Sequence, residues 1–72
     1  MRRRYESLNP REREVFKCVV SGMLNKQIAD ELGTTERTVK FHRGNIMRKM
    51  QVKSVAELVR IAEVLGIANQ GS

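Results

Sequence analysis

Thr34-Thr35-Glu36-Arg37-Thr38-Val39-Lys40-Phe41-His42-Arg43-Gly44-Asn45-Ile46-Met47-Arg48-Lys49-Met50 decides how this chain is organised. At about 100° per residue, Val39, Ile46 and Met50 fall on one narrow stripe. Arg37, Phe41, Gly44 and Arg48 fall opposite, with Lys40 and Asn45 on the flanks. A helix with this pattern anchors one thin face and turns a cationic, aromatic-bearing face outward, which suits entry into a nucleic-acid groove. The plainer alternative is a solvated surface helix with one stray phenylalanine.

The residues just before this stretch supply its support. Asn25 is placed to cap a helix over Lys26 to Leu32, with Ile28, Ala29 and Leu32 on its inner face. Gly33 ends that helix, Thr34-Thr35 makes the turn, and Thr35 caps the next helix. A short helix, a Gly-containing turn and a cationic helix form a helix-turn-helix pattern, in which small Ala29 lets the two helices approach. Further upstream, Leu8-Asn9-Pro10-Arg11-Glu12 is a helix start: Asn9 caps, Pro10 takes the first position and Glu12 completes a capping box. This first helix runs to about Ser21, turns Val15, Val19 and either Phe16 or Cys18 inward, and ends at Gly22. Residues 1–7 lack apolar periodicity and read as a flexible leader.

Downstream of Met50, Val52 plugs the core, and Ser54-Val55-Ala56-Glu57 is a second capping-box pattern opening a fourth helix to about Leu65. Its apolar residues cover more than one stripe. One side packs on the domain, and the remainder is expected to be covered by a second copy. The homodimer contact assigned on this basis comprises Val55, Leu58, Val59, Ala62 and Leu65. Residues 67–72 are expected to be a disordered tail, leaving 8–66 as the domain.

Composition narrows the class. Seventy-two residues make one domain, and a chain of this size buries only about 60% of its unfolded surface. The net charge of +6 is uneven: residues 34–53 carry +5 and residues 2–4 carry +3, while the intervening and trailing segments are each −1. A polyanion partner follows, because neutralising phosphates releases counterions. The single Cys18 cannot form an internal disulfide, and it reads as a core or boundary residue. The single His42 cannot by itself make a metal cluster or triad. Glu12 and Glu14 read as capping or ion-pair groups. No general acid and base set is legible, so neither an enzyme, a metal nor a cofactor is expected. No apolar run approaches the roughly 18 residues a membrane span needs, and a reducing cytoplasm is the expected setting.

The combination of Leu8-Asn9-Pro10-Arg11-Glu12-Arg13-Glu14-Val15, Asn25-Lys26-Gln27-Ile28-Ala29, Thr38-Val39-Lys40-Phe41-His42 and Lys49-Met50 resembles the LuxR-type helix-turn-helix. Within that group it is most similar to the C-terminal effector domain of FixJ/NarL-type response regulators, over about Leu8 to Leu65. The resemblance implies an all-α, four-helix (tetrahelical) domain that binds double-stranded DNA as a homodimer and regulates transcription in the bacterial nucleoid. It further implies RNA polymerase as a partner and an N-terminal receiver domain, phosphorylated on Asp, if the segment is a fragment. Region 4 of a sigma factor shares the Pro-Arg-Glu-Arg-Glu-Val opening. A protein-interaction module using the apolar fourth helix is the reading from a different class.

Residue roles follow from both readings. The family's base-contacting positions match Lys40, Phe41 and Gly44. Lys40 can reach a guanine edge or a phosphate, and Phe41 can pack on a thymine methyl. Gly44 departs from members carrying a long cationic side chain there, and is expected to allow close approach. Arg37 and Arg48 join the groove set from the helical wheel. Asn25 and Lys26 are expected to hold phosphate at a helix N-terminus, where free N–H groups and the dipole favour an anion. Thr38 and Lys49 match phosphate-contacting positions of the family, and Lys53 and Ser54 are added as further candidates. His42 matches the family's histidine and is read as a structural hydrogen-bonding residue.

Overall fold

The computed structural model describes residues 2–67, which form five helices and no strand: α1 (Arg2–Glu6), α2 (Pro10–Val20), α3 (Asn25–Leu32), α4 (Glu36–Met50) and α5 (Val55–Leu65). The all-α expectation holds. Helix α4 packs against both α2 and α3, while α5 packs against α2.

Local chemistry accounts for each boundary. At the start of α2 the Glu12 N–H donates to Asn9 Oδ1 at 2.8 Å and the Asn9 N–H donates to Glu12 Oε1 at 2.9 Å, completing the expected capping box. Helix α3 starts one residue earlier than expected. Leu24 is its N-cap, and the Leu24 N–H donates to Gln27 Oε1 at 2.8 Å. Asn25 is therefore the first helical residue and its side chain is released from capping. Gly33 closes α3 in the left-handed region at φ 67°, with the Thr34 N–H returning to the Ala29 carbonyl at 2.9 Å. Thr35 then caps α4 by accepting from the Thr38 N–H at 3.1 Å. Ser54 caps α5 by accepting from the Glu57 N–H at 3.2 Å, whereas the Glu57 carboxylate reaches past it to the Lys53 N–H at 2.6 Å.

The core is aliphatic around one aromatic. Val15, Phe16, Ile28, Val39, Ile46 and Met50 are fully enclosed, and Leu58 and Ala62 complete the core from α5. Phe16 is buried and Cys18 is half-buried, which resolves the choice between them. Burial raises the Cys18 thiol pKa, and the Glu31 and Glu14 charges push the same way, which disfavours the thiolate.

Two expectations at the ends need correction. The segment read as a flexible leader forms α1 at Arg2–Glu6. Tyr5 meets the Phe16 ring edge-on at 5.3 Å, the Arg13 guanidinium lies 5.2 Å from the Tyr5 centroid, and Arg13 Nη2 donates to the Glu6 carbonyl at 3.0 Å. One aromatic anchor orders the turn without any periodicity in its sequence. At the other end, Ile67 packs against the core and its N–H donates to the Ala62 carbonyl at 2.8 Å, so Ile67 belongs to the domain and not to a tail. The expected tail at 68–72 lies outside the described residues.

Candidate nucleic-acid interface

Helix α4 separates its two faces as its sequence requires. Val39, Ile46 and Met50 are 0% exposed, whereas Phe41 is 65% exposed. Lys40, Gly44, Arg37 and Arg48 are also exposed. Most of the Phe41 side chain thus lies outside the core, in water. Its ring meets the His42 ring edge-on, with centroids 5.8 Å apart. Gly44 is surrounded by space: a Cβ built there would meet nothing within 4 Å. The glycine is therefore not required by the packing of this chain. Arg37 and Lys40 have no ion-pair partner among the described residues, while Arg48 donates to the Asn45 side-chain oxygen on the same face.

The candidate phosphate ligands divide into three kinds. Lys26 is exposed at the start of α3, where backbone N–H groups lack an i−4 partner, and Lys53 is exposed before α5. Thr38 and Ser54 serve caps: the Thr38 hydroxyl accepts from Thr35 Oγ1 at 3.0 Å, and Ser54 Oγ accepts from Glu57, so each hydroxyl proton is still available. Asn25 and Lys49 are already engaged. Arg43 Nη1 donates to Asn25 Oδ1 at 2.6 Å, and Lys49 Nζ donates to Glu12 Oε1 at 2.9 Å.

The Lys49 contact changes how that residue is read. Glu12 is 2% exposed. Burial alone would raise its pKa. The Lys49 hydrogen bond, the Asn9 N–H and the Lys49 and His42 charges outweigh that effect and hold the carboxyl below its ordinary range. Lys49 is thus the partner of a buried anion before it can be a ligand of an external one. His42 is half-buried, but its Nδ1 is shielded and has no hydrogen-bond partner among the described residues, so that nitrogen makes no structural bond to them.

The α5 set mixes two surfaces. Leu58 and Ala62 are enclosed in the chain's own core and are not available to a second copy. Val59 is half-buried and packed against the core, Leu65 is half-buried, and Val55 is exposed. The most open large apolar residue of the helix is Val64, at 69%. The wheel alone could not tell which apolar side faces inward, because nearly all of it is apolar. Sequence reasoning also passed over Arg43. The available signal was angular: Arg43 follows Val39 by one helical turn and so borders the buried stripe, away from Phe41.

Comparison with known proteins agrees with this geometry. Residues 6–62 match the family described as bacterial regulatory proteins, luxR family. The chain is 52% identical over 64 residues to Nodulation protein W of Bradyrhizobium diazoefficiens, covering 89% of this chain and 28% of that protein. It is 55% identical over 65 residues to the response regulator protein TodT of Pseudomonas putida, covering 90% of this chain and 29% of that protein. The chain thus spans under a third of these curated relatives. Among solved structures, full-length FixJ from B. japonicum superposes with a TM-score of 0.85 at 44% identity, covering 94% of this chain and 34% of that one. The helix-turn-helix with its outward cationic face and the match over most of its length have one meaning: the chain belongs to the luxR family of bacterial regulatory proteins, as a DNA-binding helix-turn-helix domain of the transcription-regulating kind.

Proposed function

We propose that this domain reads double-stranded DNA sequence-specifically, with α4 in the major groove, as the output domain of a two-component response regulator. The observation that carries the reading is the exposure of Phe41 beside Lys40 and Gly44, on the α4 face opposite fully buried Val39, Ile46 and Met50. Lys40 contacts a guanine edge or phosphate and Phe41 packs on a thymine methyl. Gly44 brings the helix backbone close to the bases, and Arg37 and Arg48 flank them. Lys26, Asn25, Thr38, Lys53 and Ser54 contact the phosphates, with Lys49 contributing through its partly exposed amine.

Two copies pair on DNA through α5, using Val55, Val59 and neighbouring exposed Ala56 while Leu58 and Ala62 stay in each core. A receiver domain N-terminal to this segment controls it, RNA polymerase is the downstream partner, and the setting is the cytoplasm. Among the described residues no helix is long and apolar enough to cross a membrane. The activity is binding rather than catalysis.

The test is a selection of bound duplexes from a random pool, followed by a mobility-shift titration across salt. A recurrent half-site with two-fold symmetry is expected. The affinity should fall with log-log slope of about −0.9 per phosphate contact, or roughly −5 or steeper for a dimer. A flat salt response, or recovery of no preferred sequence, would overturn the reading.

A further inference from the structure

Arg43 is a cation of the recognition helix that does not belong to its outward face. It lies about 160° around α4 from Phe41, it is half-buried, and it has no ion-pair partner among the described residues. Its Nη1 instead donates to Asn25 Oδ1 at 2.6 Å, a partly buried bond between residues 18 apart in sequence that joins α4 to the first residue of α3. We infer that Arg43 is a positioning residue for phosphate recognition, which locks the Asn25 side chain and the start of α3 in register with the base-reading face of α4.

The chemistry of the two groups fixes the orientation. A guanidinium carries only donors, so the amide oxygen of Asn25 must face it and the amide NH2 must turn away. The NH2 is a donor, the polarity a phosphate oxygen accepts. Because Leu24 rather than Asn25 is the N-cap, the Asn25 side chain is not consumed by its own helix. Arg43 also brings a permanent positive charge to a helix end that is already the positive end of its dipole. Glu36 lines the same groove as Asn25, Lys26 and Arg43 but lies beyond ion-pair distance of Arg43, so that charge is not neutralised there.

This inference rests on the proposed DNA reading, in which Asn25 contacts phosphate. It adds that the contact is set from α4 by a residue that touches neither base nor backbone.

The experiment compares wild type, Arg43→Met, Arg43→Lys, Asn25→Ala, Asn25→Asp and the Arg43→Met/Asn25→Ala double variant. Each is titrated with duplexes recovered from a random pool and with an unrelated duplex, and each is checked by thermal unfolding. Arg43→Met keeps an apolar stem but no donor, and is expected to weaken binding to both duplexes by roughly tenfold and in the same proportion. Arg43→Lys retains a donor and a charge and should recover most of that loss. The double variant should bind no worse than the weaker single variant, since the two residues act through one bond.

Asn25→Asp separates binding from folding. Its carboxylate pairs more strongly with Arg43, so the melting temperature should hold or rise, yet without the NH2 and with a negative charge the affinity should fall. Wild-type affinity in Arg43→Met, additive losses in the double variant, or unchanged binding by Asn25→Asp would each overturn the inference. If Arg43→Met loses affinity only as far as it unfolds, the role is structural and the inference also fails. A wild-type domain that binds no duplex overturns the DNA reading and this inference together, whereas a binding wild type matched by Arg43→Met overturns this inference alone.

Discussion

Lys49 reaches across 37 residues of sequence to set its Nζ 2.9 Å from Glu12 Oε1, the oxygen that also accepts the Asn9 N–H. The anion is enclosed while the cation keeps partial access to water. Removing the cation strands a buried charge, and removing the anion leaves only a solvated amine. Lys49→Met should therefore destabilise the domain by about 1–3 kcal/mol, and by more than Glu12→Gln, whose amide oxygen can still cap α2. Urea unfolding of both variants measures the difference.

The same pair gives the domain an acid limit. Because the folded-state pKa of Glu12 is lowered, its contribution to stability is fully present above the ordinary carboxylate range. It is lost as pH falls through the lowered value. Melting temperature against pH should show wild type holding an advantage over Glu12→Gln at neutral pH that disappears in acid. A constant gap at all pH values would mean that the carboxylate's charge contributes nothing.

Phe41 and Ile46 sit on the same helix and should respond oppositely to truncation. Ile46 is fully enclosed, so Ile46→Ala should cost about 2–5 kcal/mol. Phe41→Ala removes an exposed ring and should change stability by no more than about 0.5 kcal/mol, while relaxing sequence preference on DNA. Paired denaturation and mobility-shift measurements test this, and a large stability loss in Phe41→Ala would show that the ring serves the fold.

These outcomes bear on what was legible from residues alone. The stripe of Val39, Ile46 and Met50, the cap at Thr35 and the box at Asn9 and Glu12 were legible because each depends on neighbours within one or two helical turns. Glu12 to Lys49 and Asn25 to Arg43 were not, because nothing local tells a charged side chain which distant helix it will meet. Helix α1 was missed for a related reason, since Tyr5 finds its partner in Phe16 on another helix. On α5 the pattern was too uniformly apolar to show which side would turn toward the core.

Gly44 presents a separate test. An added Cβ has open space and the residue is not at positive φ, so Gly44→Ala should stabilise the helix by roughly 0.5–1 kcal/mol. If the glycine instead serves close approach to bases, the same variant should bind DNA less well while melting higher. Tighter binding by the more stable variant would remove the functional reason for glycine at this position.

Lys26 and Lys49 should separate in salt dependence. Lys26 has no ion-pair partner among the described residues, so Lys26→Ala should weaken all duplexes alike and make the log-log salt slope shallower by about 0.9. Lys49→Met should leave the slope close to wild type, because its charge is largely spoken for by Glu12. Equal slope changes in the two variants would return Lys49 to the set of primary phosphate ligands.

A single oxygen of Glu12 accepts from both the cap of α2 and the last turn of α4. The beginning of one helix and the end of another therefore cannot fray independently. Amide hydrogen exchange should register Glu12 and the final turn of α4 opening in one cooperative step. The helix that carries Lys40 and Phe41 is consequently tethered at its trailing end by the same oxygen that caps the first long helix of the domain.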